Sequence, residues 1–106
     1  MGLFDFLKKP DINNGVQLFE QTEGAVLLDV RSRREYAVGH IPRSMNLPLQ
    51  EIDDVVQKIP SKETALYIYC MSGARSAQAE VRLRELGYVN VHNIGGIGHY
   101  TGKLEG

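Results

Sequence analysis

Two near-continuous apolar runs, residues 25–30 and 65–69, each lead into a segment with helical punctuation. That alternation constrains the fold of this chain more than any other feature. A strand whose successive residues are almost all apolar has no face to offer water. It must be covered on both sides, as in a parallel sheet. After the first run, Ser32-Arg33-Arg34-Glu35 forms a capping box: Ser32 meets the first helical amides and Glu35 reaches back. The short helix that follows carries Tyr36 and Val38 and stops at Gly39.

Residues 49–59 place Ile52, Val55, Val56 and Ile59 at three- and four-residue spacings, which predicts an amphipathic helix stopped by Pro60. Residues 75–86 put Ala79, Leu83 and Leu86 on one stripe, with Gly87 as the stop. A first helix is expected over 14–22, with Val16, Leu18 and Phe19 as its apolar contacts. Short strands are expected at 45–47 and 89–94, and a flexible turn at Gly95-Gly96-Ile97-Gly98. Strands alternating with helices predict an α/β domain with a mostly parallel sheet covered on both faces.

A chain of 106 residues has room for one core. Residues 1–11 read as a leader, ended by Pro10, and residues 12–106 as the domain. The leader is too short to span a bilayer, so no integral membrane span and no signal peptide are expected. Leu3, Phe4, Phe6 and Leu7 before Lys8 and Lys9 read as a helical turn laid against the domain or left frayed, with contact to a membrane or a partner as the alternative. A net charge of −1 gives no electrostatic case for a nucleic-acid partner. One cysteine excludes an internal disulfide and leaves a cytoplasmic placement as the default. Cys70, His40, His92 and His99 lack close-ligand spacing, so no metal site is expected, and no cofactor.

The chemistry converges on that cysteine. Cys70 follows Leu66-Tyr67-Ile68-Tyr69 and opens Cys70-Met71-Ser72-Gly73-Ala74-Arg75-Ser76, which runs into the helical pattern. In an open α/β sheet, ligands gather beyond the carboxyl ends of the strands, and Asp29 and Cys70 both fall there. Gly73 can take a dihedral other residues resist, so the loop can curl its amides toward the sulfur. Those amides and the following helix dipole favour a thiolate, marking Cys70 as a candidate nucleophile and the loop as an anion cradle. Two roles are open to Arg75: an anion clamp pointing into the loop, or an ion-pair partner folded outward. Ser72 and Ser76 can donate hydroxyls or serve as turn and cap residues, while Met71 and Ala74 shape the mouth.

Three sets of residues together resemble the single-domain rhodanese family of sulfurtransferases. They are Leu28-Asp29-Val30-Arg31 with Glu35-Tyr36 and Gly39-His40-Ile41-Pro42; the Cys70–Ser76 loop; and Gly87-Tyr88 with Gly95-Gly96-Ile97. The resemblance implies a three-layer α/β/α fold with five main parallel strands. It also implies that Cys70 forms a persulfide inside the loop from Cys70 to Arg75. The loop is one residue shorter than in the similar cysteine phosphatases of the cell-division-cycle type, which favours sulfur over a phosphoryl group. Family members commonly have Gly-Ala where this chain has Arg43-Ser44, and a Trp near His99-Tyr100. These departures touch no catalytic atom and bear on substrate preference.

The activity so implied is two-step transfer of a sulfane sulfur through Cys70, from an anionic donor such as thiosulfate or a persulfide. Cyanide, a small thiol or a protein thiol would accept it, since no second cysteine is present to do so. Two alternatives stand beside it: a sulfur carrier or binding module without turnover, and a cysteine phosphatase or arsenate reductase. The second lacks the extra loop residue and a nearby resolving cysteine. Asp29 either orients the site or forms a structural ion pair with an arginine. Arg31, Glu35 and His40 read as a scaffold around the first crossover, and Arg33, Arg34 and Arg43 as a solvated basic face. The tyrosines read as packing residues.

Overall fold

The computed structural model describes residues 10–106. Of the leader, residues 1–9 lie outside the described residues. Asp11 caps α1 (Ile12–Gln21), its carboxylate accepting from the Asn13 and Asn14 N–H groups. The helix therefore starts earlier than the sequence pattern suggests. It buries Ile12, Val16 and Phe19, while Leu18 lies on the exposed side, contrary to expectation.

From there the chain alternates: β1 (Val26–Asp29), α2 (Arg33–Val38), β2 (Ser44–Asn46), a 3-10 segment leading into α3 (Val55–Lys58), β3 (Leu66–Cys70), α4 (Ala74–Glu85) and β4 (Val91–Gly96). The strands form one sheet in the order β2-β1-β3-β4, every pair parallel. Four strands are found among the described residues, one fewer than the resemblance implies. The residues around them are used otherwise. Those ahead of β1 go into α1 and its exit, and those after β4 go into a 3-10 turn (Ile97–His99) and a single antiparallel bridge, His40 to Glu105.

Both faces of the sheet are buried, as the apolar runs require. Leu28 and Ile68 point to one side, packed against Val55, Ala79 and Leu83, and Cys70 shares that face. Leu27, Tyr67 and Tyr69 point to the other, against Val16 and Phe19 of α1. Helix α1 crosses β4 so closely that a Cβ on Gly15 would overlap the Ile94 side chain. The buried phenols end on partners: Tyr88 donates to the carbonyls of Val55 and Ile59, and the Tyr69 oxygen accepts from the Ile41 N–H.

Two expectations need correction. Residues 49–59 are not one α-helix: Leu49–Asp54 is a 3-10 helix, and only α3 is α-helical. Ile52, Val55 and Ile59 still reach the core, because contacts three residues apart suit a 3-10 turn as well. Val56 remains partly exposed. The segment Gly95-Gly96-Ile97-Gly98 is not a flexible turn either. Gly95 and Gly96 close β4, paired with Tyr69 and Cys70, and Ile97 is buried.

Candidate functional site

The last residue of β3 is Cys70, and the chain needs only three residues to turn from it into α4. Gly73 makes that turn with φ +102°, a conformation that costs a side-chain-bearing residue about 1–2 kcal/mol. The loop lies directly on the end of β4. A Cβ on Gly96 would overlap the Met71 carbonyl and come within 2.8 Å of the Ser72 Cα. Gly96 is thus the floor of the loop, where only a bare backbone fits.

This geometry gives the sulfur an unusual structural place. No side chain caps α4 from Gly73, the residue at its N-cap position. Instead the Cys70 Sγ accepts from the Gly73 N–H at 3.0 Å and the Ser76 N–H at 3.4 Å, with the Ser76 hydroxyl also at 3.4 Å. The sulfur therefore stands in for an N-cap oxygen on a three-turn helix. Burial pushes the thiol pKa up. The Ser76 hydroxyl and the N–H groups of Ser76, Gly73 and Ser72 outweigh that burial and hold it below its ordinary value. Of the loop amides expected to point inward, those of Gly73 and Ser76 make hydrogen bonds to the sulfur in the structure. Met71, Ser72 and Ala74 form the exposed rim.

Arg75 is committed outward. Its Nη1 and Nη2 donate to the two carboxylate oxygens of Glu35 at 2.7 and 3.0 Å. This is the ion-pair arrangement, with the guanidinium still close enough to feel the Cys70 charge. Glu35 also completes the capping box, accepting from the Ser32 N–H while Ser32 accepts from the Glu35 N–H. The Arg75 guanidinium holds the Glu35 carboxyl down to about 2. Around Asp29 a second network forms. Arg31 donates to both of its carboxylate oxygens through Nε at 3.1 Å, and through Nη2 at 2.8 Å to Oδ2 and 2.6 Å to the Gly39 carbonyl. Asp29 is fully buried and Arg31 nearly so, which makes this pair a brace between β1 and the turn after α2.

His40 stacks on Tyr36, ring centroids 3.7 Å apart, and its Nδ1 meets the Tyr36 carbonyl at 2.8 Å. Its geometry is that of a scaffold residue. The three arginines of the expected basic face separate: Arg33 pairs with Glu51, Arg43 lies over the Phe19 ring, and Arg34 is exposed. Two concavities flank the loop. One, about 460 Å³, is lined by Asp11, Ile12, Ser72, Gly73, Gly96 and His99 among others. The second lies between Arg31, Arg34, Glu35, Val38 and Met71. Among the described residues, no group of three or more metal-binding side chains converges.

Sequence reasoning missed two residues of the site, Asn93 and Gly96 as its floor. Asn93 touches Ser76 and Gly73 across 17 and 20 positions, so no local pattern marks it.

The family model described as Rhodanese-like domain matches residues 15–102. A sulfurtransferase of Allochromatium vinosum is 41% identical over 80 residues, covering 76% of this chain and 74% of that protein. The thiosulfate sulfurtransferase PspE of Escherichia coli is 35% identical over 71 residues, covering 66% and 68%. Among solved structures, a human single-domain sulfurtransferase superposes with a TM-score of 0.73 at 29% identity, covering 87% of this chain and 95% of that one. Here a thiol that caps a helix stands at the carboxyl edge of a parallel sheet, in a loop whose arginine pairs outward. The chain belongs to the rhodanese-like family.

Proposed function

We propose that this chain is a sulfurtransferase that carries a sulfane sulfur on Cys70. The observation that supports it best is the sulfur's place at the start of α4, where backbone N–H groups and a hydroxyl favour its ionised form. The thiolate attacks the outer sulfur of thiosulfate or of a persulfide donor. One S–S bond forms as another breaks, sulfite or a thiolate leaves with the electron pair, and Cys70 retains a persulfide anion. Cyanide or an external thiolate then attacks the outer sulfur, takes it, and restores the Cys70 thiolate. No net redox change occurs, and no metal or organic cofactor is needed.

The roles follow from position. Cys70 is the nucleophile. The loop from Met71 to Arg75 is left to receive the outer sulfur, and the Ser76 N–H steadies the inner one. Met71 borders the entrance. Glu35 holds Arg75 outward in a neutralised ion pair beside the loop, so the anionic donor is met chiefly by the loop amides. Asp29, Arg31 and His40 brace β1, α2 and the turn that follows it. The protein acts in a reducing compartment such as the cytoplasm, where an unbridged thiol persists.

Intact-protein mass after thiosulfate treatment tests this reading, with Cys70→Ser as control. A gain of about one sulfur mass on the native chain alone, discharged by cyanide or a thiol with catalytic turnover, is expected. An adduct that discharges only once, to a protein partner, favours the carrier. The absence of any adduct, even from a polysulfide, overturns the sulfur-transfer reading.

A further inference from the structure

The Asn93 carboxamide is linked to the thiol through Ser76 yet has no part in the transfer steps. It sits on β4 opposite Ile68, and its partners fix its orientation. Its Nδ2 donates to the Gly73 carbonyl at 3.3 Å and its Oδ1 accepts from the Gly95 N–H at 3.0 Å. A flipped amide would set donor against donor and acceptor against acceptor. Oδ1 therefore faces Ser76 Oγ, 2.7 Å away. The Ser76 hydroxyl has one hydrogen and three acceptors within reach, the others being the Gly73 carbonyl at 3.1 Å and Cys70 Sγ at 3.4 Å. The Gly73 carbonyl already accepts from the Ala77 N–H and from Asn93. The contest is between Oδ1 and the sulfur.

Resting on the reading of Cys70 as a thiolate nucleophile, we propose that Asn93 is a positioning residue whose oxygen competes with the Cys70 sulfur for the single Ser76 hydroxyl hydrogen. The hydroxyl is then a two-position rotor. With Cys70 protonated, its S–H donates to Ser76 Oγ and the Ser76 O–H donates to Asn93, so every group has a partner. On ionisation the thiol proton leaves to solvent and the hydroxyl hydrogen turns to the sulfur. Ser76 Oγ and Asn93 Oδ1 are left in contact with no hydrogen between them, which is repulsive. Once an outer sulfur is attached, the negative charge moves onto it and the hydroxyl returns to Asn93. Asn93 thus disfavours the bare thiolate relative to both the thiol and the persulfide, and does so only through Ser76.

The charged groups packed around the loop are Asp29 and Arg31 at the end of β1, Glu35 on α2, Arg75 on α4, Asp11 before α1 and His99 after β4. None hydrogen-bonds to the side chain of Ser76 or Asn93, and the first four are paired with one another.

The test is the pH dependence of iodoacetamide alkylation of Cys70 in the full chain, which reads thiolate with no sulfur donor present. Its failure is therefore distinct from failure of the sulfur-transfer reading, which the persulfide mass decides. Asn93→Ala should raise the thiolate fraction below the midpoint by about two- to tenfold. Ser76→Ala should lower it, and the double variant should match Ser76→Ala. An unchanged or lowered thiolate fraction in Asn93→Ala, or an equal gain without Ser76, overturns the proposal. If Asn93→Ala does not fold, the same readings on Asn93→Ser decide. Failure of both to fold makes Asn93 a structural brace and overturns it as well.

Discussion

Arg75 and Glu35 meet in a two-point ion pair that ties the first turn of α4 to the first turn of α2. The same carboxylate closes the α2 capping box, so one side chain anchors the loop arginine and starts a helix. Removing its charge releases both.

Glu35→Gln is expected to cost about 1 kcal/mol, the scale of a lost cap together with a partly solvent-screened ion pair. The effect carries a pH signature. Folding lowers the Glu35 pKa from 4.5 to about 2, so its stabilisation is complete above 4.5 and is lost as pH falls toward 2. Melting temperatures of native chain and variant should differ at neutral pH and converge across that acidic window. A constant gap down to pH 2 would contradict the assigned ion pair.

The Asp29–Arg31 brace is buried, and the two partners are not independent. Asp29→Ala strands a buried guanidinium and is expected to destabilise by about 3–5 kcal/mol in urea titration. Adding Arg31→Met should recover much of that loss, because the uncompensated charge is gone. If the double variant is no more stable than the single one, the network matters for its hydrogen bonds to backbone rather than for its charge balance.

Gly96→Ala should displace the loop, since the new methyl meets backbone atoms that cannot rotate away. A stability loss of about 1–3 kcal/mol is expected, with slower alkylation of Cys70 at neutral pH. Gly24 is the contrasting case: its φ is +77° where that of Gly96 is −118°, and a methyl there would meet no atom within 4 Å. Gly24→Ala should lower stability while leaving thiol reactivity unchanged.

His40 packs and bridges but faces no reacting atom. His40→Phe should therefore keep the midpoint of the pH–rate profile for Cys70 loading, whatever it does to the melting temperature. Loss of a titrating limb in that profile would make His40 an acid–base participant.

The features legible in the sequence are those whose causes lie within a few residues. The capping box at Ser32 and Glu35 is a local contract between neighbours, and the apolar runs of β1 and β3 carry their own burial. The Cys70 loop is readable because strand, glycine and helix follow one another directly. What escapes depends on distant parts of the chain. Gly96 looks like punctuation until the loop is laid over it and the reason for its missing side chain appears. Asn93 escapes because its partners Ser76 and Gly73 lie 17 and 20 positions away, and no sequence spacing encodes that meeting. Residues 49–59 mislead because spacings of three serve a 3-10 turn and an α-helix alike.

The sulfur that caps α4 makes Cys70 a structural member as well as a reactive one. Alkylating it, oxidising it or loading it with a second sulfur changes the acceptor offered to the Gly73 and Ser76 amides. A modification of one atom is therefore felt along a twelve-residue helix. For this chain, a melting curve doubles as a gauge of what its cysteine is carrying.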